Sequence, residues 1–221
     1  MTDRLIFFDL ETAGIDPKRH PIIQVAAIAI DAHAEVLEAY EAKLRFDTKR
    51  AKAYSLRKAN YRRGVWANEA LTPREAAADF AAFVRRHACH AQLSASGSPY
   101  QVAQLVAHNA AFDGPFLCRW FESAGVYLPA RKLILCTMQL AMWRAAQGLD
   151  APPPNFQLAS LCRHYGVPFH ASAAHDALGD VTATVQLYRA ITTLDKGAIA
   201  GPPAHVRHKN QRLVKWRKQH E

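Results

Sequence analysis

The chain has 221 residues, half of them hydrophobic, with a net charge of +9. That apolar content suits a globular domain with a proper core and excludes a disordered chain. The first apolar run, Leu5 to Leu10, is far too short for a membrane span and follows no charged-then-apolar leader, so the expectation is a cytoplasmic protein.

The charge is uneven. Lys43 to Arg63 holds nine Lys or Arg against the single acid Asp47, a balance of +8, and His205 to Glu221 carries +5, so the remainder of the +9 chain stands at −4. An acidic body with two basic appendages suggests that the appendages attract a polyanion while the body holds cations. A solvated surface run is the alternative. Cys89, Cys118, Cys136 and Cys162 are widely spaced with no C-x-x-C pair, as expected of reduced thiols. A zinc site from Cys89, His90, Cys162 and His164 has the wrong spacing.

In chain order, Leu5 to Leu10 reads as a strand buried on both faces, Ile22 to Asp31 as a second, and Val36 to Phe46 as a third with alternating Tyr40, Ala42, Leu44 and Phe46. Short connections predict an antiparallel meander. The basic stretch that follows, about 47–68, reads as loop with a short helix. Thr72-Pro73-Arg74-Glu75 is a capping box opening a helix to about His87. Ser94 to Pro99 reads as a surface loop, and Gln104 to Ala107 as a fourth strand. A helix from about Ala111 stops at Gly125, and Leu133 to Cys136 is a short fifth strand. Thr137 is expected to cap the next helix. A helix from Phe156 to Tyr165 closes at Gly166, and a last helix runs from Asp176 to Ile191. Helices flanking such a sheet make an α/β layer fold, residues 1–200, with a basic tail over 201–221.

Within the first strand stand Asp9 and Glu11, two residues apart and therefore on one face. Either the strand ends at Leu10 and leaves Glu11 in solvent, or the pair is neutralised by a cation, or one carboxyl keeps its proton. Two other stretches repeat the oddity. "LVAHNAAFD" places Asp113 in the first turn of a helix, and "HDALGD" places Asp180 on the apolar side of the last helix. His175 is five residues earlier, about 500° around a helix, so it is expected on the entering loop. Four carboxylates and one His suit Mg²⁺ or Mn²⁺ better than zinc. Two such ions about 4 Å apart can clamp an in-line phosphoryl displacement, with an imidazole as the base.

"FDLETAG", "VAHNAAFD" and "HDALGD", in this order, resemble the three motifs of the DEDDh 3′→5′ exonucleases, which include a polymerase III proofreading subunit, RNase T and oligoribonuclease. The resemblance spans about Leu5 to Ile191. It implies a ribonuclease H-like fold with a five-stranded mixed sheet, the first three strands antiparallel, and helices on both faces. It implies further that Asp9, Glu11 and Asp180 hold one metal ion, that Asp9 and Asp113 serve a second, and that His175 is the base. The backbone at Leu10, Glu11 and Thr12 would meet the 3′-terminal nucleotide, and Asn109 would orient the site.

The implied activity is release of nucleoside 5′-monophosphates from a 3′ end, in proofreading or repair. Single-stranded DNA is the expected substrate, RNA or short oligoribonucleotides the alternative. A binding subunit of the same fold, docking a polymerase or repair partner through the basic tail, is the reading of another class, and a homodimer is a further expectation. In the basic insertion, Arg57, Lys58, Arg62 and Arg63 interleave with Tyr54, Tyr61 and Trp66, as a single-strand groove requires. The alternative is a surface helix whose rings pack on the core.

Overall fold

Alternation in the first strand decides which layer each side chain joins. In the computed structural model, which describes residues 4–169 and 176–194, β1 (Leu5–Thr12) sends Ile6, Phe8 and Leu10 into one hydrophobic cluster and Leu5 and Phe7 into another. The first cluster is completed by Phe80 and Phe83 of α3 (Pro73–Arg86) and by Phe116, Leu117 and Trp120 of α4 (Ala110–Ala124). The second is completed by Ala177, Val181 and Val185 of α7 (Ala177–Leu194). Asp9 and Glu11 continue the Phe7 row, which is the face that α7 covers.

β2 (Ile22–Ile30) is buried along its whole length and pairs antiparallel with β1 and with β3 (Val36–Lys43). Parallel to β1 lies a later pair of strands, after the hairpin of β4 (His90–Leu93) and β5 (Pro99–Val102): β6 (Gln104–Ala107) and then β7 (Leu135–Cys136). The five-stranded order is β3-β2-β1-β6-β7. It is the expected ribonuclease H-like arrangement, with its first three strands antiparallel and helices on both faces. β1 pairs with β6 only from Leu5 to Phe7, so the two parallel strands part company beyond that point. The crevice outside the carboxyl ends of parallel strands is where open α/β sheets take ligands.

Several local expectations need correcting. The loop expected over Ser94 to Pro99 is the turn, residues 94–98, of the β4–β5 hairpin, whose short strands are half-exposed and carry a weak pattern. The third strand ends at Lys43, because beyond it only a parallel bridge, Leu44 to Leu71, continues the pairing. The basic stretch folds as a 3₁₀ turn (Thr48–Arg50), α1 (Ala53–Lys58) and α2 (Arg63–Glu69). The capping box of α3 is present, with Glu75 N–H donating to Thr72 Oγ1. Thr137 does not cap α5 (Thr137–Ala146), since its hydroxyl pairs instead with His108 Nδ1. The next helix, α6 (Leu158–His164), is shorter than predicted.

The chain divides into two units, residues 1–190 and 191–221. Of the second, only the end of α7 falls within the described residues, so the basic tail over 201–221 lies outside them. No helix among the described residues is long and apolar enough to cross a membrane.

Candidate active site

β1 does not stop at Leu10. It continues through Glu11 to Thr12, still paired with β2, so Glu11 stands opposite Gln24 rather than in a solvated loop. α7 brings Asp180 to the same face, and one carboxylate oxygen from each of Asp9, Glu11 and Asp180 lies within 4.8 Å of the others. Among the described residues this is the sole group of three or more acid, His or Cys ligands so gathered. The zinc alternative of Cys89, His90, Cys162 and His164 therefore does not assemble, and the four cysteines are free thiols.

Asp113 arrives from the opposite layer. It sits in the first turn of α4, is buried, and accepts a hydrogen bond from the backbone N–H of Leu10. Leu10 lies past the last β1 residue that pairs with β6, so this carboxylate serves a strand donor that the parallel ladder leaves behind. Asn109 turns the chain from β6 into α4 in a left-handed conformation (φ 63°, ψ 52°), one that Asn tolerates better than most residues. His108 before it is anchored on both ring nitrogens, by Thr137 Oγ1 at 2.9 Å and the Phe156 carbonyl at 3.1 Å.

The electrostatics are those of crowded acids. Burial, then Asp113, Glu11, Asp180 and Asp176, hold the Asp9 carboxyl well above its usual range. Glu11 is pushed up to about 7 by burial and by Asp180, while Lys58 pulls it back. Asp113 rises to about 8 through burial, against the hydrogen bond from Leu10. Crowded carboxyls of this kind, all oxygen donors, fit a hard divalent cation: bound between them, it would offset both the desolvation and the mutual repulsion.

The cleft around these groups encloses about 300 Å³ and is lined by Asp9, Glu11, Asp113 and Asp180, by Leu10, Thr12 and Asn109, and by Lys58 from the basic insertion. Thr12 uses its hydroxyl to hold the Gly14 carbonyl at 2.7 Å. Arg57, Arg62 and Arg63 are exposed and do not line it. His175 lies outside the described residues.

The aromatic residues of the insertion part company. Trp66 is buried and donates from Nε1 to the Ile23 carbonyl at 3.0 Å, and Tyr61 packs between Phe46 and Trp66. For these two the packing alternative describes the structure. Tyr54 alone is exposed, and it lines the acid cleft together with Ser55. Ile15 and Leu158 also line it, and the sequence reading passed over Ser55, Ile15 and Leu158. Of these only Ile15, an apolar residue just past the conspicuous Gly14, offered any signal. Gln24 was missed as well. It is buried opposite Glu11 and donates from Nε2 to Glu41 Oε1 at 2.8 Å and to Asp176 Oδ1 at 3.0 Å, fixing the residue that leads into α7.

Residues 100–188 match the RNase_T exonuclease family model, a stretch that holds Asn109, Asp113, His175 and Asp180. Over that stretch the chain is similar to an exonuclease domain. A segment of 35 residues is 54% identical to the oligoribonuclease of Corynebacterium glutamicum (strain R), covering 16% of this chain and 16% of that protein. Among solved structures, E. coli exonuclease I in complex with a dT13 oligonucleotide superposes with a TM-score of 0.71 at 16% identity, over 88% of this chain and 42% of that one. The zinc-bound exonuclease I–ssDNA complex superposes equally well, TM-score 0.71 at 18% identity, over 87% and 41%. The chain thus spans about two fifths of the exonuclease I chains it resembles, and at this identity the likeness is one of fold.

Proposed function

We propose that the protein is a metal-dependent 3′→5′ exonuclease that hydrolyses the terminal phosphodiester of single-stranded DNA and releases nucleoside 5′-monophosphates. The observation that carries this reading is the convergence of Asp9, Glu11 and Asp180 within 4.8 Å, beside Asp113, in a cleft reached by Lys58. Asp9, Glu11 and Asp180 would hold one Mg²⁺ or Mn²⁺ ion and Asp9 with Asp113 a second. Divalent ions there supply a water of lowered pKa and charge neutralisation at the phosphoryl and leaving oxygens.

The chain's own groups do the rest. His175 takes the proton of the attacking water, a base whose ordinary pKa lies near neutrality. Lys58 offers a phosphate contact at the cleft wall and Tyr54 a face on which the terminal base stacks. The backbone at Leu10, Glu11 and Thr12 and the side chain of Asn109 meet the terminal sugar. Arg57, Arg62 and Arg63, exposed on the same insertion, add long-range attraction for the strand.

A second reading, hydrolysis of short oligoribonucleotides, draws on the local identity to an oligoribonuclease. Residues 201–221 would dock a polymerase or repair partner by charge, and homodimerisation and a cytoplasmic location complete the proposal. End-labelled DNA and RNA 12-mers, incubated with Mg²⁺ or Mn²⁺, test it. The expected result is shortening from the 3′ end, abolished by EDTA and by Asp9→Asn, with the faster polymer fixing the sugar. Intact 3′ ends under every ion would overturn it.

A further inference from the structure

A second cavity, of about 210 Å³, lies on the far side of the loop that leaves β1. Its cationic lining is Lys18, Arg50 and Arg119, no carboxylate among the described residues lines it, and its floor is aromatic, from Phe116 and Trp120. Arg50 donates from Nε to the Arg19 carbonyl at 2.9 Å, which fixes the loop between β1 and β2 against the 3₁₀ turn. Trp120 spends its Nε1 on the Pro73 carbonyl, so it offers the cavity only ring surface. Lys18 and Arg119 are exposed, and among the described residues Arg119 has only a surface partner, Glu122 at 3.8 Å, a pairing that competes weakly with an incoming anion.

The cavity shares two walls with the acid cleft. Gly14 and Ile15 of the β1–β2 loop face the cleft, and Pro17, Lys18 and His20 of the same loop face the cavity. Along α4, Phe112 lines the cleft and Phe116, one turn further, lines the cavity, their ring centroids 5.1 Å apart. Arg119 follows six residues after Asp113, about 9 Å along the helix axis. A strand with its 3′ end among the acids and its 5′ portion running along α4 would pass the partly exposed Phe112, then reach the cations within a few nucleotides.

We infer that this cavity is an upstream subsite that holds a backbone phosphate of the substrate strand on Lys18 and Arg119, on the 5′ side of the bond being cut. This rests on the exonuclease reading above and deepens it: the substrate is a strand long enough to span both hollows. The volume is small for a whole ligand and suits a phosphate with part of its sugar.

Substrate length tests it. Kcat/KM is measured for a 12-mer and for a dinucleotide of the same polymer with wild type, Lys18→Gln, Arg119→Gln and the double variant, and 12-mer binding is titrated against salt in EDTA. The expected result is a loss of about three- to tenfold per substitution on the 12-mer, with the dinucleotide changed less than about twofold. The slope of log K against log salt should fall by about 0.7 for each phosphate contact removed. Equal losses on both lengths, or an unchanged 12-mer and salt slope, would overturn the subsite. A wild type that shortens neither substrate sinks the exonuclease reading instead, and the salt slopes in EDTA still decide whether the cavity grips a strand.

Discussion

The Leu10 N–H donates to the carboxylate of Asp113, linking the strand that carries two of the acids to the helix that carries another. The bond reaches from β1 to α4 at the point where β1 has left β6, so Asp113 is both a candidate metal-site acid and the structural partner of a stranded donor. The two roles separate in Asp113→Asn. The amide oxygen can keep the bond from Leu10 while the negative charge is gone. The expected outcome is an unchanged or higher Tm in EDTA at pH 8, together with an activity loss of about 10–100-fold. A large drop in Tm would mean that the hydrogen bond had been lost as well.

The raised carboxyls make metal-free stability depend on pH with a definite sign. Glu11 stands at about 7 against an ordinary 4.5, and Asp113 at about 8 against 3.8. Folded, these groups hold protons that the unfolded chain releases, so their contribution is intact below the unfolded values and is lost as pH rises through the folded ones. In EDTA the Tm should fall between about pH 5 and pH 8. Millimolar Mg²⁺ or Mn²⁺ should restore it most at the upper end, where the acids are ionised and bind the ion best. Thermal melts across that range, with and without metal, measure both slopes.

Gly14 lies against His20 so closely that an added Cβ would sit 2.3 Å from Cγ of the imidazole. That ring is itself fixed, accepting from the Asp16 N–H at 3.1 Å. Gly14→Ala should therefore cost about 1–3 kcal/mol and displace the loop that walls the cleft. Adding His20→Ala removes the obstacle, and the double variant should recover most of the loss in urea unfolding. Additive effects of the two changes would place the strain elsewhere.

Trp66 ties the basic insertion to β2 through the Ile23 carbonyl. Trp66→Phe keeps most of the packing with Tyr61 but removes the indole donor from a carbonyl that still accepts from the Leu44 N–H at 2.8 Å, at an expected cost of about 0.5–1.5 kcal/mol. Arg62→Gln at the start of the same helix, exposed, should leave unfolding unchanged within about 0.5 kcal/mol. Denaturant midpoints for the two variants give the comparison.

Much of the sheet was legible because β1, β2 and β6 are buried on both sides and read as unbroken apolar runs. The odd carboxylates stood out against that background, so Asp9, Glu11, Asp113 and Asp180 could be singled out before any geometry was known. The hairpin of β4 and β5 escaped because half-exposed strands of four residues carry little pattern. Gln24 escaped for a different reason. A polar residue in an apolar strand reads as a single exception, and its partners Glu41 and Asp176 are distant in sequence. Tyr61 and Trp66 were ambiguous because an aromatic ring beside arginines serves a base or a core equally well. Only the packing of Tyr61 between Phe46 and Trp66 separates the two uses.

The two faces of β1 have a consequence for how this strand can change. Its even positions carry Ile6, Phe8 and Leu10 and its odd positions carry Phe7, Asp9 and Glu11. A single-residue insertion or deletion ahead of Asp9 would swap the two sets, driving both acids into the aromatic layer beneath α3 and α4. Point substitutions can drift here, but frame shifts cannot. The acid cluster and foldability are written in one alternating code, and this stretch of chain can shed neither without forfeiting the other.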